Sequence, residues 1–102
     1  MTVYNKLVRD HIPEIIRRNG GNPDFRSLSD EEYLMALEQK LDEEAGEFHH
    51  DKNVEELADI LEVVFALADA IGCSREELMK TYQSKHDARG GFEKRYYLIS
   101  KE

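Results

Sequence analysis

Four carboxylates in two neighbouring segments could hold a hard divalent cation: Glu44 with Glu47, and Glu56 with Asp59, each pair three residues apart. Residues at that spacing share one helix face. At about 100° per residue, Glu44 falls between Leu37 and Phe48 on the apolar stripe of Leu34, Leu37, Leu41 and Phe48, so it points inward. Glu47 lies at the edge of the same face. Glu43 falls about 100° away and reads as a solvated neighbour. Glu56 and Asp59 share a face with Ile60 and Val63. The break at Asp51-Lys52-Asn53 folds the two helices into an antiparallel hairpin, in which Glu47 faces Glu56 and Glu44 faces Asp59.

Carboxylates converging on a partly apolar surface repel one another and lose water, and both effects raise their pKa values. Lys40 is the one nearby cation in the sequence. A Mg²⁺ or Mn²⁺ ion would neutralise the group, because both take hard oxygen ligands and keep positions for water or phosphate. A lone inward glutamate reads more simply as a snorkelling or paired side chain; two facing pairs shift the balance toward a metal. Glu47-Phe48-His49-His50 also contains a Glu-x-x-His, but a di-iron carboxylate bundle needs a second such motif and the sequence has none.

The elements that must position these groups are mainly helical. Pro13 suits the first turn of a short helix carrying Ile12, Ile15 and Ile16, which Gly20 or Gly21 ends. Ser29-Asp30-Glu31-Glu32 is a capping box opening a second helix to about His49. A third runs from Val54 to Ile71 and stops at Gly72; Ser74-Arg75-Glu76-Glu77 is another capping box, opening a fourth through about His86, which Gly90-Gly91 ends. Phe25 to Leu28 and Phe92 to Ile99 have strand-like density, so a short strand is expected toward each end of the chain. The third helix is apolar nearly all round: Leu57, Leu61, Val64, Phe65, Ala68 and Ile71 cover one arc and Ile60, Val63 and Leu67 another, with Glu55, Glu62 and Asp69 as a narrow wet strip. Too few other helices exist to surround it, so a second copy is expected to help bury it.

Composition sets the outer limits. The chain has 102 residues, 40% of them hydrophobic, and a formal net charge of -8, as expected for one small acidic globular domain spanning residues 1–102. Residues 30 to 62 carry 13 carboxylates against Lys40 and Lys52, a local balance of -11 that leaves +3 elsewhere. Such a distribution speaks against binding a nucleic-acid backbone. No run approaches the roughly 18 apolar residues of a membrane span. The N-terminus is too charged for a signal peptide, and the single Cys73 cannot form an internal disulfide, so a cytoplasmic setting with no membrane partner is expected.

Read in order, Glu43-Glu44-Ala45-Gly46-Glu47 and Glu56-Leu57-Ala58-Asp59 match an EExxE and ExxD pair. They are flanked by Tyr4-Asn5-Lys6-Leu7-Val8-Arg9-Asp10, Ile12-Pro13-Glu14-Ile15-Ile16 and Arg89-Gly90-Gly91-Phe92. The set resembles the all-α nucleotide pyrophosphohydrolases, the superfamily of MazG-like proteins, phosphoribosyl-ATP pyrophosphohydrolases and dimeric dUTPases, and is most similar to its short MazG-like members. The resemblance implies a four-helix MazG-like bundle completed as a homodimer or homotetramer. It implies Mg²⁺-dependent cleavage between the α and β phosphates of a nucleoside triphosphate, giving the monophosphate and pyrophosphate, with house-cleaning of non-standard nucleotides as one role. It also implies Glu44, Glu47, Glu56 and Asp59 as metal ligands, and a catalytic set of Glu43, Glu44 and Glu47 in which Glu43 orients water.

The spacer of eight residues between Glu47 and Glu56 trims the hairpin but keeps the two pairs facing. Substrate phosphates would need cations, and Lys6, Arg9 and Arg89 are the candidates, being in the segments that carry the resemblance. Lys85 is a weaker one. His11, His49, His50 and His86 show no ligand spacing and read as surface or outer-shell residues. Tyr96 and Tyr97 could stack on a base, though paired aromatics more often pack against a helix. Two other readings stand beside the leading one: a phosphoribosyl-ATP pyrophosphohydrolase of histidine biosynthesis, and a non-catalytic regulatory module that binds nucleotide or metal.

Overall fold

Local capping chemistry sets most of the helix boundaries. In the computed structural model, which describes residues 1–102, four helices follow one another: α1 Ile12–Arg18, α2 Asp30–Asp51, α3 Val54–Ala70 and α4 Arg75–Arg89. Ser29 Oγ accepts from the Glu32 N–H at 3.3 Å, and the Glu32 carboxylate accepts from the Ser29 N–H at 3.1 Å, completing the capping box of α2. Arg26 donates to both Glu32 oxygens, at 2.7 and 3.2 Å. These hydrogen bonds, Arg26 first and Ser29 next, lower the Glu32 carboxyl to about 2. α4 starts with a variant of the same device: Ser74 Oγ accepts from the Glu77 N–H and donates to the Glu77 carboxylate, both at 3.1 Å.

The hairpin that carries the carboxylates has the tightest of connections. Lys52 adopts a left-handed conformation at φ 50 and its N–H bonds Phe48 O at 2.8 Å, ending α2. Asn53 then caps α3 by accepting from the Glu56 N–H at 3.0 Å. With only these two residues between them, α2 and α3 run back along each other. α4 packs on α3 alone, and α1 packs on no other helix. α1 closes at Gly20, whose φ of +88 few other residues adopt without strain.

Both expected strands are absent. Phe25–Leu28 and Phe92–Ile99 form no ladder, and the tail's one backbone bond is a turn from the Arg95 N–H to Phe92 O. Strand propensity reflects packing against a neighbouring strand rather than backbone preference, and neither segment finds one. Arg26 is drawn to the α2 capping box instead, while Phe92, Tyr96 and Tyr97 stand in solvent. The chain is therefore all-α.

The arrangement is open. Only Leu37, Val63, Ala68 and Glu44 are buried, and the radius of gyration is 17.8 Å; a compact domain of this length has about 13 Å. Of the apolar arc predicted from the sequence, Leu57 and Leu61 on α3 remain 50% and 51% exposed and Ile71 just after it is exposed too, while Val64 and Phe65 are half-buried and Ala68 is buried, so half of the arc is left uncovered within one copy. No helix is long and apolar enough to cross a membrane.

Candidate metal centre

The inward tilt of Glu44 follows from the α2 stripe: it sits two turns below the buried Leu37 and is itself only 6% exposed. Across the hairpin, Glu56 and Asp59 meet it, and one carboxylate oxygen from each of the three lies within 4.8 Å of the others. Glu47 stays exposed at the edge of α2 and lies outside that group of three. Its negative charge nevertheless acts on Glu56. Glu56 is raised from its ordinary value, first by partial burial, then by the charges of Glu47, Asp51 and Asp59.

Three cations answer the carboxylates. Lys40 places its ammonium 3.2 Å from Glu44 Oε1 and 3.5 Å from Glu43 Oε1. Lys6 reaches Glu43 at 3.3 Å, and Arg9 donates to Asp59 Oδ1 at 2.7 Å. The N-terminal segment thus lies across the hairpin and delivers Lys6 and Arg9 to the acidic face. Glu43 is accordingly an ion-pairing residue of that face, where the sequence suggested a solvated one. Arg89 is placed elsewhere, at the end of α4, beside a separate depression formed with residues 90–96.

Two buried oxygens, Glu44 Oε2 and Glu56 Oε2, have no hydrogen-bond partner. Buried carboxylate oxygens without a partner are costly, and each such case calls for an explanation such as an ion. The donor set is all carboxylate oxygen, the chemistry that Mg²⁺ and Mn²⁺ favour over softer metals. The residues present therefore fit such an ion, with Glu44, Glu56 and Asp59 as its holders and Glu47 next to them.

Two contributors were not singled out in the sequence. Asp51 adds negative charge to Glu56 from the C-terminal turn of α2, where the helix dipole already disfavours it. Tyr33 lines the cleft that opens beside Glu44 and Asp59; its spacing of four from Leu37 is the signal that could have placed it there.

No family model matches the chain, and no solved structure matches it. An uncharacterised protein of Mycolicibacterium smegmatis is 60% identical to it over 42 residues. That stretch covers 41% of this chain and 43% of the relative, so the match spans less than half of either protein.

Proposed function

We propose that the chain is a Mg²⁺-dependent nucleoside triphosphate pyrophosphohydrolase of the MazG-like kind. It cleaves between the α and β phosphates to release a nucleoside monophosphate and pyrophosphate, and works as a homodimer or homotetramer in the cytoplasm. The observation that carries this reading is the convergence of Glu44, Glu56 and Asp59 from the EExxE and ExxD segments, two of which, Glu44 and Glu56, keep a buried oxygen without a hydrogen-bond partner.

Glu44, Glu56 and Asp59 would hold the ion, with Glu47 completing the set. When bound, Mg²⁺ draws charge from phosphoryl oxygens and lowers the pKa of a coordinated water. Lys40 fixes one oxygen of Glu44 and leaves the other free. Glu47, exposed beside Glu56, would accept the proton of the attacking water, whose oxygen bonds to phosphorus as pyrophosphate leaves. Lys6 and Arg9 exchange their carboxylate partners for phosphate oxygens; Arg9, as a planar fork, suits two oxygens at once. Within one copy Arg89 lies at a separate depression at the end of α4, so this step draws on Lys6 and Arg9 alone.

Pyrophosphate release with Mg²⁺ tests the reading across standard and damaged nucleoside triphosphates and phosphoribosyl-ATP. Glu44→Ala and Asp59→Ala are expected to fall by more than about 100-fold, beyond the loss typical of outer-shell partners. Turnover confined to phosphoribosyl-ATP assigns the histidine-pathway activity instead, and nucleotide binding without any turnover assigns a regulatory module. Variants as active as the wild type remove the carboxylate cluster from the chemistry.

A further inference from the structure

An open cleft of about 340 Å³ runs from the carboxylate cluster along the groove between α2 and α3, with the segment from Leu7 to His11 on its other side. Its size lies at the small end of the range for small-molecule sites. The two ends differ in chemistry. Glu44 and Asp59, with Lys40 and Arg9 paired to them, form the charged end. Leu37, Val63, Ala66 and the ring of Tyr33 form the other. From Asp59 to Ala66 is seven residues, about 10 Å of helix. A phosphate chain held at the cluster therefore leaves the attached sugar and ring system pointing toward Tyr33, where an aromatic face and apolar walls suit a planar heterocycle.

The polar groups left over on the cleft wall narrow the choice of heterocycle. Lys40 and Arg9 are engaged by carboxylates, whereas Asp10 and Glu62 line the cleft without pairing to any cation of the chain. Both are exposed and meet water in the free protein, and a carboxylate only accepts hydrogen bonds. An exocyclic amine offers the pair two N–H donors on one nitrogen, whereas an oxo base puts at that position an oxygen that both carboxylates repel and keeps a single ring N–H beside it. We infer that this cleft is the nucleoside end of the site and that Asp10 and Glu62 select bases bearing an exocyclic amine. The inference rests on the nucleotide reading of the cluster and adds the class of base to it.

Amide NMR titrations of the full chain with Mg²⁺ and nucleoside monophosphates test it without requiring turnover. The ligands come in pairs in which an amine beside a bare ring nitrogen is exchanged for an oxo group beside a ring N–H: AMP with IMP, and CMP with UMP. The amine member is expected to bind about tenfold more tightly, as for one hydrogen bond to a charged group, and to shift the amides of Tyr33, Val63 and Ala66. Glu62→Gln, at an exposed position, reduces the ratio, and Tyr33→Leu weakens every ligand by about tenfold, as for a lost stacking partner. Equal affinities within each pair, tighter binding of the oxo member, or shifts confined to other residues overturn the inference. A triphosphate turned over without any preference sinks the base selection alone. Selective monophosphate binding with no triphosphate turnover sinks the hydrolase reading and leaves the base selection standing.

Discussion

Replacing Lys40 by methionine isolates the electrostatic problem at the centre of the hairpin. The Lys40 side chain is 18% exposed, and it is the only cation within 4 Å of Glu44, whose own side chain is 8% exposed. Without it, Glu44 faces Glu56 and Asp59 with no positive charge of its own. Removing one partner of a buried pair costs about 3 to 5 kcal/mol; residual solvent at Lys40 brings the expected loss to about 2 to 3 kcal/mol. For a chain near 100 residues that is a fall in Tm of roughly 10 to 20 °C.

A divalent cation should reverse much of the loss. At about 100 times its Kd, a ligand specific for the folded state adds about 2.7 kcal/mol. In Lys40→Met the ion meets Glu44 without a competing ammonium, so its stabilising effect should exceed that in the wild type. Lys40→Met/Glu44→Leu, in which both partners leave, should recover most of the stability in EDTA. Thermal melts followed by far-UV circular dichroism, first in EDTA and then across a Mn²⁺ or Mg²⁺ titration, measure all three effects. If Lys40→Met stays within about 0.5 kcal/mol of the wild type in EDTA, as for an ordinary surface change, or gains no more from metal than the wild type does, the reasoning fails.

Other consequences follow from the same geometry. The raised carboxyl of Glu56 binds its proton more tightly in the folded state, so its contribution to metal-free stability is fully present below its ordinary value of 4.5 and is lost as pH rises through the raised value. Glu56→Gln should flatten that fall in urea titrations run in EDTA, and an equally steep fall in the variant contradicts the assignment. Glu32 acts in the opposite sense: its carboxyl is lowered to about 2, so its contribution is present above 4.5 and is lost as pH falls through about 2. Arg26→Ala should weaken that acid dependence, and unchanged acid titration of stability counts against the Arg26–Glu32 contact. Leu61→Glu, on the half-exposed arc of α3, should give a monomer of unchanged helicity in sedimentation experiments where the wild type forms a dimer or tetramer. A wild type that is itself monomeric at micromolar concentration contradicts the buried-interface reading.

Features determined within a few residues of sequence were the legible ones. Ser29 with Glu32, and Ser74 with Glu77, mark helix starts because the cap and its donor lie on one turn. The meeting of Glu44 with Glu56 and Asp59 was legible for a related reason: two short periodic segments joined by a tight turn leave little freedom in register. The approach of Lys6 and Arg9 depends on how an irregular segment lies across two helices, which no periodicity encodes. Only the resemblance pointed to them. The angle of Glu43 on α2 points it to solvent, and the ion pair with Lys6 comes from the N-terminal segment, which that angle does not encode. Phe92 to Ile99 shows the reverse error, where β-branched and aromatic residues suggest a strand but pairing requires a partner that one copy does not provide. The position of Arg89, far along α4, likewise depends on helix packing rather than on its motif.

The most direct test of the carboxylate cluster as a nucleotide pyrophosphohydrolase centre is a phosphorus NMR time course of a nucleoside triphosphate mixture with the protein and Mg²⁺. Monophosphate and pyrophosphate are expected to appear in equal amounts, with neither formed in EDTA or by Glu44→Ala. Diphosphate with orthophosphate, no product at all, or equal pyrophosphate formation by Glu44→Ala would contradict that reading.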